Sequence, residues 1–251
     1  MNDSVRVLIA GESWVTHSIH QKGFDSFTTT LYHEGVGPLR TALESAGFHV
    51  DYLPNHVAAT EFPGTSAELQ AYAVVILSDI GANTLQLHPD TFEHSVRSPD
   101  RIAAIGEYVA GGGGLVMVGG YLTFQGIEGR ARWAGTAVEA ALPVTMLQHD
   151  DRVEAPSGVA PQVRLPAHPI ARELPATWPA LLGYNRVVPL DGADVVVAVD
   201  ADPLIVAGRH GQGRSVAFTS DCGPHWCPPP FVDWGGYDTM WRQLVGWAAG
   251  G

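Results

Sequence analysis

Leu115-Val116-Met117-Val118-Gly119-Gly120-Tyr121-Leu122-Thr123-Phe124-Gln125-Gly126 is the stretch on which the reading of this chain turns. A short apolar run bounded by glycines, with Gly111 to Gly114 ending the preceding helix, reads as a central strand of a parallel sheet. Paired glycines at its carboxyl end let the backbone bend sharply and present the next side chain above the sheet, the geometry of a nucleophile elbow. The residue so presented is Tyr121, where elbow enzymes place Ser or Cys.

Working outward, Val5 to Ala10 reads as a first strand that empties into Gly11-Glu12-Ser13-Trp14. A long polar and aromatic loop is expected next, holding His17, His20, Lys22, Asp25 and Tyr32. Apolar residues at 39, 42, 43 and 46 predict a helix from Pro38 to Ala46, and Phe48 to Leu53 alternates as a strand. Residues 54 to 66 read as a polar loop, Ser66 to Ala71 as a short helix, and Tyr72 to Leu77 as a second buried strand ending in Ser78-Asp79. A helix over about Pro99 to Ala110 precedes the central strand. Beyond residue 148 the pattern loosens, with a short strand near 162 to 165. Val195–Val199, Leu204–Ala207 and Ser215–Thr219 then read as three strands, and Tyr237 to Ala248 as a closing helix. Strands alternating with helices predict an α/β fold, a doubly wound, mostly parallel sheet with helices on both faces and a C-terminal hairpin extension. With no repeat, low-complexity tract or linker, residues 1–251 read as one domain.

Composition narrows the function classes. A formal charge of −12 argues against a nucleic-acid binder, which needs a basic stripe. The opening Met1-Asn2-Asp3-Ser4 lacks a basic lead, and no segment approaches the ~20 apolar residues of a membrane span, so a cytoplasmic protein is expected. Two cysteines, Cys222 and Cys227, do not make a disulfide scaffold. With His225 they offer three ligand types within six residues, but a structural zinc site wants four, so neither metal nor cofactor is expected. Asp150-Asp151 reads as a solvated charge cluster, as do Arg130 and Arg132. Trp226, Trp234 and Trp241 read first as core and second as a surface for a homo-oligomer.

Ligands of open α/β sheets bind beyond the carboxyl ends of the strands. Those ends supply Glu12, Ser13 and Trp14, then Ser78 and Asp79, then Tyr121, then Asp221 and His225. A histidine there suits proton transfer at neutral pH, with Asp221 to orient it, Glu12 and Tyr121 to assist, and the N–H groups of the glycine turn to hold an oxyanion.

The blocks Gly11-Glu12-Ser13-Trp14, Lys22-Gly23-Phe24-Asp25, Leu77-Ser78-Asp79-Ile80-Gly81-Ala82-Asn83, Gly119 to Gly126 and Thr219 to Trp226 together resemble the class I glutamine amidotransferase-like superfamily. The resemblance is to its branch of cytoplasmic proteins labelled glutamine amidotransferases and related to trehalose-utilisation proteins. It implies a flavodoxin-like fold with the site at the elbow. Working members use an elbow Cys, a later His and an acid partner. Here the elbow position falls on Tyr121 and the His role on His225, and the usual His-x-Glu pattern is absent. The same blocks nominate Ser13, Trp14, Lys22, Asp25, Ser78, Asp79, Gly120, Phe124, Gln125 and Trp226 as substrate contacts. The expected function is acid–base chemistry, of hydrolase or lyase type, on a small polar metabolite such as a sugar or amide derivative. The alternative is a non-catalytic ligand-binding or assembly protein on the same shell. Literal glutamine hydrolysis ranks last, because the elbow lacks a thiolate.

Overall fold

The computed structural model describes residues 5–251; the Met1–Ser4 lead lies outside the described residues. Fourteen strands follow one another as β1 (Arg6–Gly11), β2 (Ser13–Lys22), β3 (Asp25–Glu34), β4 (His49–Leu53), β5 (Val74–Ser78), β6 (Gly114–Val118), β7 (Val144–Met146), β8 (Arg152–Val159), β9 (Gln162–Val163), β10 (Leu181–Asn185), β11 (Val187–Pro189), β12 (Asp194–Val199), β13 (Asp202–His210) and β14 (Gly213–Phe218). One eight-stranded sheet runs in the order β4-β1-β5-β6-β14-β13-β12-β9. The first five of these are mutually parallel, and β13, β12 and β9 extend the sheet antiparallel. The α/β, flavodoxin-like expectation therefore stands, including its C-terminal extension.

The apolar runs are continuous because both faces of the sheet are covered. Val7 and Ile9 of β1, with Val74 and Ile76 of β5, pack on one side with Leu39 and Leu43 of the helix Gly37–Ser45 and with Trp241 and Leu244 of the helix Tyr237–Ala248. Leu8 and Ala10, with Val75 and Leu77, pack on the other side with Ile105 and Tyr108 of the helix Arg101–Ala110. Period-two alternation thus feeds two cores from one strand. Trp226 and Trp241 are core residues and Trp234 packs against that core, as their first reading held. Among the described residues no helix is long and apolar enough to cross a membrane.

The chain leaves β1 toward β4 on one side and later proceeds through β5 and β6 on the other. The winding direction therefore reverses between β1 and β5, the switch point at which α/β sheets open a crevice. Gly11 pairs with Ser78, so Glu12 and Asp79 leave the sheet as neighbours. Gly11 sits at φ 113, and a Cβ there would collide with the Ser78 carbonyl oxygen. Gly11→Ala is expected to cost about 3 kcal/mol or more, lowering Tm by roughly 10 °C in thermal unfolding.

Two stretches read as loops fold otherwise, and the loosely patterned 148–185 holds more strand than the one expected near 162 to 165, which is β9. Residues 15–36 do not form a long loop: β2 and β3 make an antiparallel hairpin in which every pair from Ser13↔Glu34 to Lys22↔Asp25 is in register. Its β-branched residues favour strand, but it buries no face, so the alternation that announces a strand is missing. Gly23, at φ 63, occupies the first loop position that a two-residue type II′ turn reserves for glycine. Residues 54–66 hold the helix Asn55–Glu61, and 148–185 hold β8 and β10, which pair with each other.

Candidate active site

The two strand ends at the switch point are both strained. Glu12 (φ 49) and Asp79 (φ 42) adopt left-handed backbone, a conformation that clusters at functional sites in residues other than glycine. The sharp presentation expected of Tyr121 thus falls on these two acids. Asn55 ties the ends together: its Nδ2 donates to the carbonyls of Ser13 (2.6 Å) and Asp79 (3.2 Å), and its N–H donates to Ser13 Oγ (2.8 Å). Asn55 was not singled out in the sequence, because it lies in a helix read there as loop.

Below the rim is a buried acidic floor. Ser78 Oγ donates to Glu12 Oε2 at 2.5 Å and lies 3.7 Å from Cys222 Sγ. Glu12, Asp221 and Cys222 place ligand atoms within 4.8 Å of one another, and all three are buried. Burial first, and the charge of Asp79 second, raise the Glu12 carboxyl to about 7. Asp221 is pushed well above the ordinary carboxylate range by burial and then by Glu12 and Asp79. Burial raises Asp79 as well, against the pull of the Leu122 and Tyr121 N–H groups and of His225. Three carboxyls this close cannot all ionise in a low-dielectric site, so protons are retained among them. The loop set Cys222, His225 and Cys227 does not come together as zinc ligands among the described residues; a cation would meet Glu12, Asp221 and Cys222 instead.

The rim above is aromatic and partly open. His225, exposed, stacks on Tyr121 (centroids 5.4 Å apart, 17° between planes) and lies 5.9 Å from the Trp14 ring. Trp14 stacks on His33 of β3, and Trp226 meets the edge of Tyr121 at 5.6 Å. The Arg152 guanidinium stands 4.8 Å over the Tyr121 ring. Burial and Glu154 push the Tyr121 phenol up, which keeps its proton in place as a donor at neutral pH. Of the residues nominated in sequence, Glu12, Ser13, Trp14, Ser78, Asp79, Tyr121, Asp221, His225 and Trp226 gather here. Lys22 and Asp25 do not: they close the far end of the hairpin, about 30 Å along the strands at ~3.3 Å per residue. A cavity of about 170 Å³ between Ala140, Pro143, Asp191 and His210 is lined by none of these residues.

The glycine turn differs most from expectation. Its N–H groups are not free for an oxyanion. Gly119 donates to the Phe218 carbonyl (2.8 Å), Gly120 to Asn185 Oδ1 (2.9 Å), and Leu122 to Asp79 Oδ1 (2.7 Å). Gln125 and Gly126 donate to the carboxyl of Asp151 at 2.8 and 2.9 Å. Asp79 therefore occupies the place an oxyanion would take. Asp151 is buried, not solvated, and receives a further donor from Asn185 Nδ2 (2.8 Å). Phe124 and Gln125 serve the turn itself: Phe124 is in the core and Gln125 Oε1 accepts from the Ala134 N–H at 3.1 Å.

The sequence profile of the GATase1_like family, described as "Putative glutamine amidotransferase", matches residues 6–249. The chain belongs to this family. Among solved structures, cytoplasmic protein STM3548 from Salmonella typhimurium is 43% identical, with a TM-score of 0.94 over 96% of this chain and 98% of that one. Cytoplasmic protein STM1381 from Salmonella typhimurium LT2 is 42% identical, with a TM-score of 0.94 over 97% and 99%. A "Putative thua-like protein" from Parabacteroides merdae shares the fold at 14% identity, with a TM-score of 0.59 over 98% and 90%. Among curated proteins, none matches the sequence. Of the two cysteines, Cys222 is the one to weigh as a nucleophile. Its Sγ does fold into the floor, although the sequence places it far from the elbow. Burial, then Glu12 and Asp221, push its thiol well above the ordinary range, the opposite of nucleophile activation.

Proposed function

We propose that this GATase1_like protein is a cytoplasmic enzyme that moves protons on a small polar metabolite, such as a sugar or amide derivative, by hydrolase- or lyase-type chemistry. The observation that carries this reading is the Glu12 carboxyl, raised to about 7 and buried beneath a rim that holds His225. A group titrating near the working pH is the efficient choice for general acid–base catalysis. Glu12 takes or returns a proton at the floor while Asp79 and Asp221 hold the shared protons. His225 serves as the second acid–base group at the rim, with Tyr121 backing its ring and donating a hydrogen bond, and Trp14 and Trp226 shape the apolar sides. Amide hydrolysis through a covalent acyl intermediate is disfavoured on two counts: the oxyanion position is filled by Asp79, and the nearby thiol is held protonated.

A screen of small hydroxylated and amide-bearing metabolites with the purified chain tests the reading. Glu12→Gln and His225→Ala are each expected to lower turnover by about 10²-fold or more with the fold intact by circular dichroism. An activity that survives both substitutions unchanged would rule these residues out as its acid–base groups, and binding without turnover of any compound would leave a non-catalytic ligand-binding role, a reading that the Asp79 carboxyl's engagement with its own turn also favours. Ammonia released from glutamine and abolished by Cys222→Ser would instead restore the amidotransferase reading.

A further inference from the structure

The β2–β3 hairpin leaves most of its apolar side chains largely exposed. Phe24 at its tip is fully exposed, Ile19 is 77% exposed, and Val15, Phe27, Leu31 and Tyr32 are each about half exposed. Strand alternation puts Val15, Ile19 and Tyr32 on one face and Leu31 and Phe27 on the other; Tyr32 meets His56 of the body edge-on and Phe27 stacks on His20 of the same ribbon, while Val15, Ile19 and Leu31 stay exposed. A two-stranded ribbon of this kind is marginal in water without something packed on it.

We propose that this hairpin is an arm that clasps a second copy of the same chain, each protomer reaching over the other in a closed homo-oligomer. Two features select a second copy as the occupant. The first is charge. The chain bears a formal −12, whereas residues 13–34 carry only Lys22, Asp25 and Glu34, so the arm is the surface along which two such acidic bodies approach with least repulsion. The second is area. Ten residues at ~3.3 Å, in a ribbon roughly 10 Å wide, give ~600 Å² over both faces. Two reciprocal arms with the surfaces they cover amount to roughly 2,400 Å², above the ~1,600 Å² typical of a stable interface. A single arm docked on an unrelated partner reaches only about half of that. Isologous pairing also doubles each contact by symmetry. The arm is rooted at Trp14 and His33 beside His225, so the partner body would sit along the open rim of the site.

Sedimentation equilibrium of the full chain measures the outcome. The unaltered protein is expected at a multiple of 26.7 kDa, and Ile19→Asp combined with Leu31→Asp at the single-chain mass with its circular dichroism preserved. A single-chain mass for the unaltered protein at tens of micromolar would overturn the proposal. So would a multimer indifferent to both substitutions. Should the double variant fail to fold, hydrogen exchange of residues 16–31 in the unaltered chain decides: exchange that slows with rising protein concentration supports the clasp, and concentration-independent exchange refutes it.

Discussion

Folding stability is expected to fall as pH rises from 5 to 8, and Glu12→Gln is expected to flatten that slope. Glu12 titrates near 7 in the folded chain, against an ordinary value of 4.5. Between those two values the folded state holds a proton that the unfolded state has released. The associated stability is therefore complete below about 4.5 and is lost as pH climbs through 7. A shift of this size corresponds to something on the order of 3 kcal/mol, and the raised Asp79 and Asp221 act in the same direction. The amide introduced by Glu12→Gln cannot ionise, so that variant gives up this share of the decline. Urea midpoints at pH 5, 6, 7 and 8 for both proteins measure it; parallel slopes would show that Glu12 titrates as an ordinary carboxyl. The same variant is also expected to lose turnover, so stability and activity report on a single proton through unrelated readouts.

Asp151→Ala is expected to unfold the glycine turn locally and lower Tm by roughly 10 °C. The carboxyl accepts from Gln125, Gly126 and Asn185 inside the protein, where no water replaces it. Truncation strands three buried donors, and removing the partner of a buried polar group costs more than the bond was worth, about 4 kcal/mol here for the set. At ~2–4 °C per kcal/mol for a chain of this size, the loss is readily seen by calorimetry. Asp151→Asn keeps one acceptor and is expected to fall between the two. A Tm within about 2 °C of the unaltered chain would mean that the turn is held by its backbone alone.

The architecture was legible because the central strands are covered on both faces and so write themselves as unbroken apolar runs. The convergence of Glu12, Asp79, Tyr121 and His225 was legible for a topological reason: strand ends are where an open sheet binds, and each run's end can be read by eye. What stayed hidden depends on long-range contacts. Asp151 is next to Asp150 and Arg152, which form a surface ion pair, and nothing local says that one of two adjacent aspartates turns inward to a segment twenty-five residues away. Asn55 and Asn185 are invisible for the same reason. The hairpin escaped because its strands satisfy each other's backbone while leaving both side-chain faces largely exposed, so they carry no hydrophobic period. Lys22 and Asp25 were nominated alongside site residues because they belong to a recognisable block, yet a block can mark an arm as readily as a pocket.

The Asp79 carboxyl seated in the cradle of the glycine turn sets the terms on which this scaffold can change its chemistry. Installing a thiol at position 121 leaves a carboxyl oxygen where a tetrahedral intermediate needs to place its charge, and vacating position 79 alone leaves no nucleophile to generate one. Either substitution alone leaves acyl transfer out of reach. Acyl transfer on this scaffold therefore calls for two changes made together rather than for one residue.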